Sequence, residues 1–449
     1  VRSTVDANNV TLTNQSQFGE FTIADSGFAG ETSATPAIGD GVTFRNPNSV
    51  LALTGNAMTD DVVNVNGFGS GFSAVVGIDG QGGNDIANWN TTDIVNAVDI
   101  IATTININSG AITTAGAQRL SGNILLPVNT VLTGTSIELN GSVNDAVPMG
   151  DATFTVNPTA DVLINAAIGN MSSLGLITVN STSGAVNFNG VTNNLGTGGL
   201  LISGANVATF NGSFSATGTA GISASAARSV TLNPGTAFNL ASGNVTLLAN
   251  QQPVAATGVF TGVLLNGASI TTTGGNVTLT GRGGDTSLGN DGVVVQNGSS
   301  ISSTGAGNVT VTGTAGTAGD SGVVISGPGT AVSATNGNIQ VSGSSASIQG
   351  SVQSATGNVS LNSPVSLIGD LNVAGSAVTF ASTVAGNGRN LTSAGATTFS
   401  GNGTALNSLT VNGDLVTEAI TLTIATPLVI PTGFNAQLRG TINAQIVGQ

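Results

Sequence analysis

The chain contains no cysteine, no histidine, no lysine and no tyrosine, one tryptophan, and charged residues at only 6% of its 449 positions. Each absence removes a class of chemistry. Without cysteine there is no disulfide frame, no thiolate metal site and no thiol nucleophile. Without histidine or lysine there is no imidazole or side-chain amine for general-base or Schiff-base catalysis. A lysine–asparagine isopeptide cross-link is excluded too. All seven basic residues are arginine, against 21 acids, and the net charge is −14. Such a surface repels nucleic acid and anionic lipid, so neither is expected as a partner. No run approaches the ~20 apolar residues of a membrane-spanning helix. Residue 1 opens no charged and then apolar leader, which reads as a processed mature chain or a fragment of something larger. Low charge does not mean disorder here. A hydrophobic content of 39% and a mean hydropathy of +0.31 suit a packed core.

What the chain does have is repetition. Gly243-Asn244-Val245-Thr246-Leu247 returns from Gly275 as Gly-Asn-Val-Thr-Leu, from Gly307 as Gly-Asn-Val-Thr-Val, from Gly337 as Gly-Asn-Ile-Gln-Val and from Gly357 as Gly-Asn-Val-Ser-Leu. The starts lie 32, 32, 30 and 20 residues apart. A second signal, Gly-Val-Leu/Val at Gly262, Gly292 and Gly322, keeps step with the first, and Ser/Thr-rich stretches surround Ile270, Ile301 and Val332. A period in this range marks a stacked, quasi-one-dimensional architecture. Within each copy the alternation has period two. In Val277-Thr278-Leu279-Thr280 the apolar residues face one way and the threonines the other. Branched side chains fit a pleated surface, and Gly and Asn at corners accept the positive φ of a sharp bend. The expectation is an all-β protein: a right-handed parallel β-helix (β-solenoid), with three short strands per repeat, Val, Ile and Leu stacked inside, and asparagine ladders at the corners. The hand rests on the rule for parallel crossovers.

Along the chain, residues 1–45 are irregular, with Phe18, Phe21, Phe28 and Phe44 among acids, and read as an N-terminal cap or assembly segment. Residues 46–425 carry the β-helix rhythm, and Phe154, Phe188, Phe210, Phe214 and Phe238 are expected to stack inside it. Residues 426–449 read as capping or docking strands. The run Ile420, Leu422, Ile424 through Leu428, Val429 and Ile430 is the most apolar strand pair, and it is the candidate assembly surface. The acids are uneven: 15 of 21 precede residue 162, and from Val162 to Gly284 the only charges are Arg228 and Arg282. That neutral stretch reads as plain solenoid wall; its hydroxyls and amides would also suit glycan contact or lateral packing.

Few residues invite a chemical role. Ile78-Asp79-Gly80-Gln81-Gly82-Gly83-Asn84-Asp85 resembles one calcium-binding nonapeptide of the repeats-in-toxin type, with Gln81 where Gly is usual. Asp79 and Asp85 are therefore the metal candidates, and calcium the one candidate cofactor. Such sites need copies in adjacent turns, and the single copy here reads as a turn. Asp60, Asp61 and Asp93 invite comparison with β-helical polysaccharide hydrolases, but the His, Lys or Tyr that those enzymes also use are missing. No catalytic residue is assigned. The Thr-x-Thr pairs at Thr11/Thr13, Thr278/Thr280, Thr310/Thr312 and Thr421/Thr423 read as strand surface, and sequons such as those at Asn276 and Asn308 as a product of composition.

The Gly-Asn-Val-Thr-Leu-Thr-Gly repeat from Gly275, the run Gly-Val-Val-Val-Gln-Asn-Gly-Ser-Ser-Ile-Ser-Ser-Thr from Gly292, and the run at 363–373 resemble the β-strand repeats of filamentous-haemagglutinin-like exoproteins and autotransporter passengers. The resemblance spans about residues 50–415. It implies a right-handed β-helix, exported and displayed or shed at a bacterial surface, serving adhesion or a structural coat. Asn46-Pro47-Asn48 resembles that family's secretion-domain motif, but its surroundings do not match and no secretion role is carried onto it. The family supplies no catalytic residues. Two functions follow as expectations: a non-enzymatic subunit that self-associates into an extracellular fibre or coat, or a monomeric adhesin stalk that binds a glycan or host surface.

Overall fold

The computed structural model describes residues 49–448, apart from 56–59, 69–71, 148–150, 191 and 318, together with four N-terminal strands, 2–4, 10–14, 20–25 and 42–45. Asn46-Pro47-Asn48 and the side chains of residues 1–45 lie outside what it describes. Among the described residues the regular structure is all β, laid down as coils in which each strand pairs in parallel with its equivalent one coil on. The expected β-solenoid is the observed fold. Two compact units are present, Val1–Ala205 and Asn206–Gln449.

In the first unit Val76, Val98, Gln118, Ile137, Val162 and Val186 are register partners in successive coils. All but Gln118 are apolar and all are buried. Removing such columns from water is the main favourable term for a chain with so few charges. Gln118 joins the apolar column with its Nε2 donating to the carbonyls of Ile112 (2.9 Å) and Thr133 (2.7 Å), while its Oε1 is buried without a partner among the described residues. The N-terminal strands differ from the rest. Arg2–Thr4 and Val10–Asn14 pair in parallel with the first coils, but Val10–Asn14, Glu20–Asp25 and Val42–Arg45 pair antiparallel with one another.

In the second unit one coil is the strand set Val277–Arg282, Val293–Gln296 and Ser300–Ser303. It matches the expected three strands per repeat. The column Ile222, Val245, Val277, Val309, Ile339, Val359, Val378 runs through seven coils without slipping register. Phe210, Phe214 and Phe238 meet edge to face with centroids 5.1–5.6 Å apart, and Phe380 stacks flat on Phe399 at 4.6 Å. The rings lie inside the coil, as expected.

The Gly-Asn pair that opens each repeat has a different reason from the one its composition suggests. Neither residue of the motif adopts positive φ. A Cβ on Gly275 would strike the carbonyl oxygen of Gly243, and one on Gly307 that of Gly275, so the glycines are selected by close approach of consecutive coils. The asparagines form a ladder through the backbone. The N–H of Asn276 donates to Oδ1 of Asn244 (2.8 Å), and the same bond repeats from Asn308, Asn338 and Asn358 to the copy before.

The uneven spacing also acquires a cause. Between the first and second strands of each coil lie residues 250–262, 283–292, 315–322 and 344–345 in turn. The first strands of these coils keep their register, and most of the fall from 32 to 20 residues per repeat is taken up by these shrinking corner loops.

Candidate functional site

The corner that carries Asp60, Asp61, Asp79 and Asp85 is where the first unit concentrates its acids. Val62 is the register partner of Ile86, so Asp61 and Asp85 occupy the same position in consecutive coils. Both are 5% exposed. The Asp61 N–H donates to Oδ1 of Asp85 at 3.0 Å. The exposed neighbours are tied down in the same way: Oδ1 of Asp60 accepts the Asn84 N–H at 2.7 Å, and Oδ1 of Asp79 accepts the Gln81 N–H at 3.0 Å. A small pocket at this corner is lined by Leu53, Val63, Ile78 and Ile86 together with Asp61, Asp79 and Asp85. Burial pushes the Asp85 carboxyl above its ordinary value; the Asp61 amide opposes that, and the charges of Asp61, Asp60 and Asp79 add to it.

The metal candidates Asp79 and Asp85 thus share a corner, yet each gives a carboxylate oxygen to a backbone amide. No group of three or more acidic, His or Cys residues is placed to hold a metal among the described residues. Calcium takes six to eight oxygens, and one copy of the nonapeptide supplies only part of such a shell. Asp93 lies elsewhere in the unit, where its Oδ2 accepts the Phe68 N–H at 2.7 Å and its own N–H donates to Thr91 Oγ1. Asp60, Asp79, Asp85 and Asp93 each hold backbone through a carboxylate oxygen.

The candidate assembly residues are mostly interior. Ile420, Leu422, Ile424, Leu428 and Ile430 are buried, and only Val429 points outward. The chain makes one more coil above them: Ala436–Asn443 pairs in parallel with Leu415–Ile424, and Ile446–Gly448 with Leu428–Ile430. This coil continues the β-helix past residue 425, and its strand Ala436–Asn443 is exposed or half-buried throughout.

The outward wall of the second unit carries the Thr-x-Thr pairs at Thr278/Thr280, Thr310/Thr312 and Thr421/Thr423. Thr246, Thr278 and Thr310 line up in register, and Thr280 beside Thr312 makes a two-by-two block with Thr278 and Thr310. The block ends at Gln340 and Ser342. Side-chain amide ladders cross the first unit. Nδ2 of Asn88 donates to Oδ1 of Asn64 and Nδ2 of Asn106 to Oδ1 of Asn88, both at 2.8 Å, and Asn66, Asn90 and Asn108 repeat the arrangement.

Sequence reasoning passed over several buried amides that organise loops. Asn250 and Asn290 are almost fully enclosed; Nδ2 of Asn250 donates to Gly283 O and Oδ1 of Asn290 accepts the Phe260 N–H. Nothing in composition separates these from the many surface asparagines, although their place in the inserts was a usable clue. No helix of the described residues is long and apolar enough to cross a membrane. Comparison with protein-family models, with curated proteins and with solved structures finds no match.

Proposed function

We propose that this chain is a non-enzymatic structural subunit of a bacterial extracellular fibre or surface coat, a β-solenoid that associates with further copies of itself. The observation that supports this reading best is the fate of its acids. Of the five acids with a claim to chemistry, Asp60, Asp79, Asp85 and Asp93 each accept a backbone N–H, and Asp61 gives its own N–H to Asp85. Three of these bonds run from one coil to the next, and the bond from Gln81 to Asp79 closes a turn. The resemblance to filamentous-haemagglutinin-like exoproteins supports export and surface display. An adhesin stalk that binds a glycan as a monomer is the second reading, favoured by the outward hydroxyls of Thr246, Thr278 and Thr310.

Electron microscopy of the purified chain, in calcium and then in chelator, tests the two. Ordered filaments or sheets support the subunit. Dispersed particles at all concentrations favour the stalk, and glycan-array binding would then be measured. Turnover of a neutral or acidic glycan that disappears in Asp60→Asn or Asp61→Asn would overturn both.

A further inference from the structure

The corner inserts of the second unit form a braced platform. The Gly258 N–H donates to Oδ1 of Asp285 (2.9 Å), the Gly289 N–H to Oδ1 of Asp320 (2.9 Å) and the Ser321 N–H to Oδ1 of Asp291 (2.7 Å). Backbone bonds add Gly284 N–H to Phe260 O and Gly316 N–H to Asn290 O, both at 2.9 Å. Each insert is therefore fastened to the next. The side chains at the tips are apolar and in water: Val254 is 82% exposed, Leu288 70% and Val259 54%. These exceed every other exposed large apolar side chain of this unit among the described residues.

Charge gathers at the same place. Between residues 162 and 369 the chain has five charged residues, Arg228, Arg282, Asp285, Asp291 and Asp320. The three aspartates are in the inserts. Arg282 ends the strand that leads into one of them, and the Arg228 guanidinium lies over the Phe260 ring, 4.8 Å from its centroid. From residue 206 to 367 no other large apolar side chain among the described residues is exposed to this degree, and charges of both signs lie on or beside the same inserts.

We infer that this platform, which bears the exposed Val254, Val259 and Leu288, is the surface on which a second copy of the chain docks. The inference rests on the self-association proposed above and names its site. A patch that carries both signs around an apolar centre can complement itself, as a two-fold interface requires. Like-charge repulsion between copies is concentrated in the first 161 residues, which carry 15 of the 21 acids, and this directs association to the charge-poor unit that bears the platform. Bracing by hydrogen bonds keeps the tips preorganised and reduces the ordering cost of association.

The experiment is sedimentation analysis of the intact chain up to about 100 µM, beside Leu288→Glu and Val254→Glu and with circular dichroism as the fold check. Leu288→Ser serves as a milder variant should the glutamate perturb folding. Association of the parent chain, weakened about tenfold or more in the variants with unchanged β-signal, supports the platform. Association that the variants leave unchanged overturns the platform and leaves the assembly reading standing. A parent chain that stays monomeric overturns both. Binding of a synthetic Lys/Leu amphipathic peptide that Leu288→Glu abolishes, with association unchanged, reassigns the surface to a basic partner and overturns the second copy as its occupant.

Discussion

Asp61 and Asp85 stack at one corner of successive coils, with the backbone N–H of the first donating to a carboxylate oxygen of the second at 3.0 Å. The bond needs only an acceptor on residue 85, whereas the negative charge there is opposed by burial and by three neighbouring aspartates.

The pH dependence follows. Asp85 binds its proton more tightly folded than unfolded, so its contribution favours the fold below the ordinary carboxyl value of 3.8 and is lost as pH rises through the raised folded value. Asp85→Asn keeps an acceptor and drops the charge. Its melting midpoint at pH 7 is expected to rise by about 1–2 °C, with the gain vanishing near pH 3. Asp370 has the opposite sign. Its carboxyl accepts two bonds from Asn390, backbone first, which hold it below 3.8. Its contribution is present at neutral pH and fades as pH falls through the folded value. Differential scanning calorimetry across pH 3–7 reads both.

The two kinds of asparagine ladder respond differently to the same substitution. Asn308 uses Oδ1 to accept the Asn338 N–H, and a carboxylate does that equally well. Asn308→Asp is expected to stay within about 0.5 kcal/mol of the parent and Asn308→Ala to lose about 0.5–1 kcal/mol, because the exposed amide can turn to water. Asn88 both donates to Asn64 and accepts from Asn106. Asn88→Asp sets a carboxylate against an amide oxygen and is expected to lose about 1–3 kcal/mol. Urea titration of the three variants checks the order, and equal costs at positions 88 and 308 would contradict it.

Leu422 and Val429 separate packing from surface in the last apolar strands. Leu422 is fully buried, and Leu422→Ala is expected to cost about 2–5 kcal/mol. Val429 points outward, and Val429→Thr is expected to change stability by less than about 0.5 kcal/mol. Should assembly be lost in Val429→Thr while the fold persists, that wall rather than the insert platform is where copies meet.

Calcium removal is expected to leave the melting midpoint within about 1 °C. Asp79 and Asp85 each already serve a backbone amide, and a chelator-induced drop of several degrees would show that the corner completes a cation shell.

The fold was legible because period and alternation coincide: Val277, Leu279, Val309 and Val311 announce both the strand and its stacking partner. Phe238 and its neighbours were legible as core for the same reason. Gly275 was seen but misread, since close approach to a coil 32 residues away leaves no local signature. The closing coil at Ala436–Asn443 was hidden because Gln437, Arg439 and Asn443 break the apolar alternation that marked earlier strands. Of the candidate sites, Asp79 and Asp85 could be picked out by residue type, whereas their bonds to Gln81 and Asp61 depend on how the chain folds back. The inserts were visible only as a change in spacing, and spacing does not say on which side a loop leaves the coil.

Those inserts uncouple two lengths that most folds tie together. Register among the first strands of the coils is the same at an insert of thirteen residues and at a link of two. Reach sideways can therefore be edited without touching the rise from coil to coil. The corner acts as a graft point, where foreign peptides set into neighbouring coils would be displayed on a ruler with marks about 4.8 Å apart.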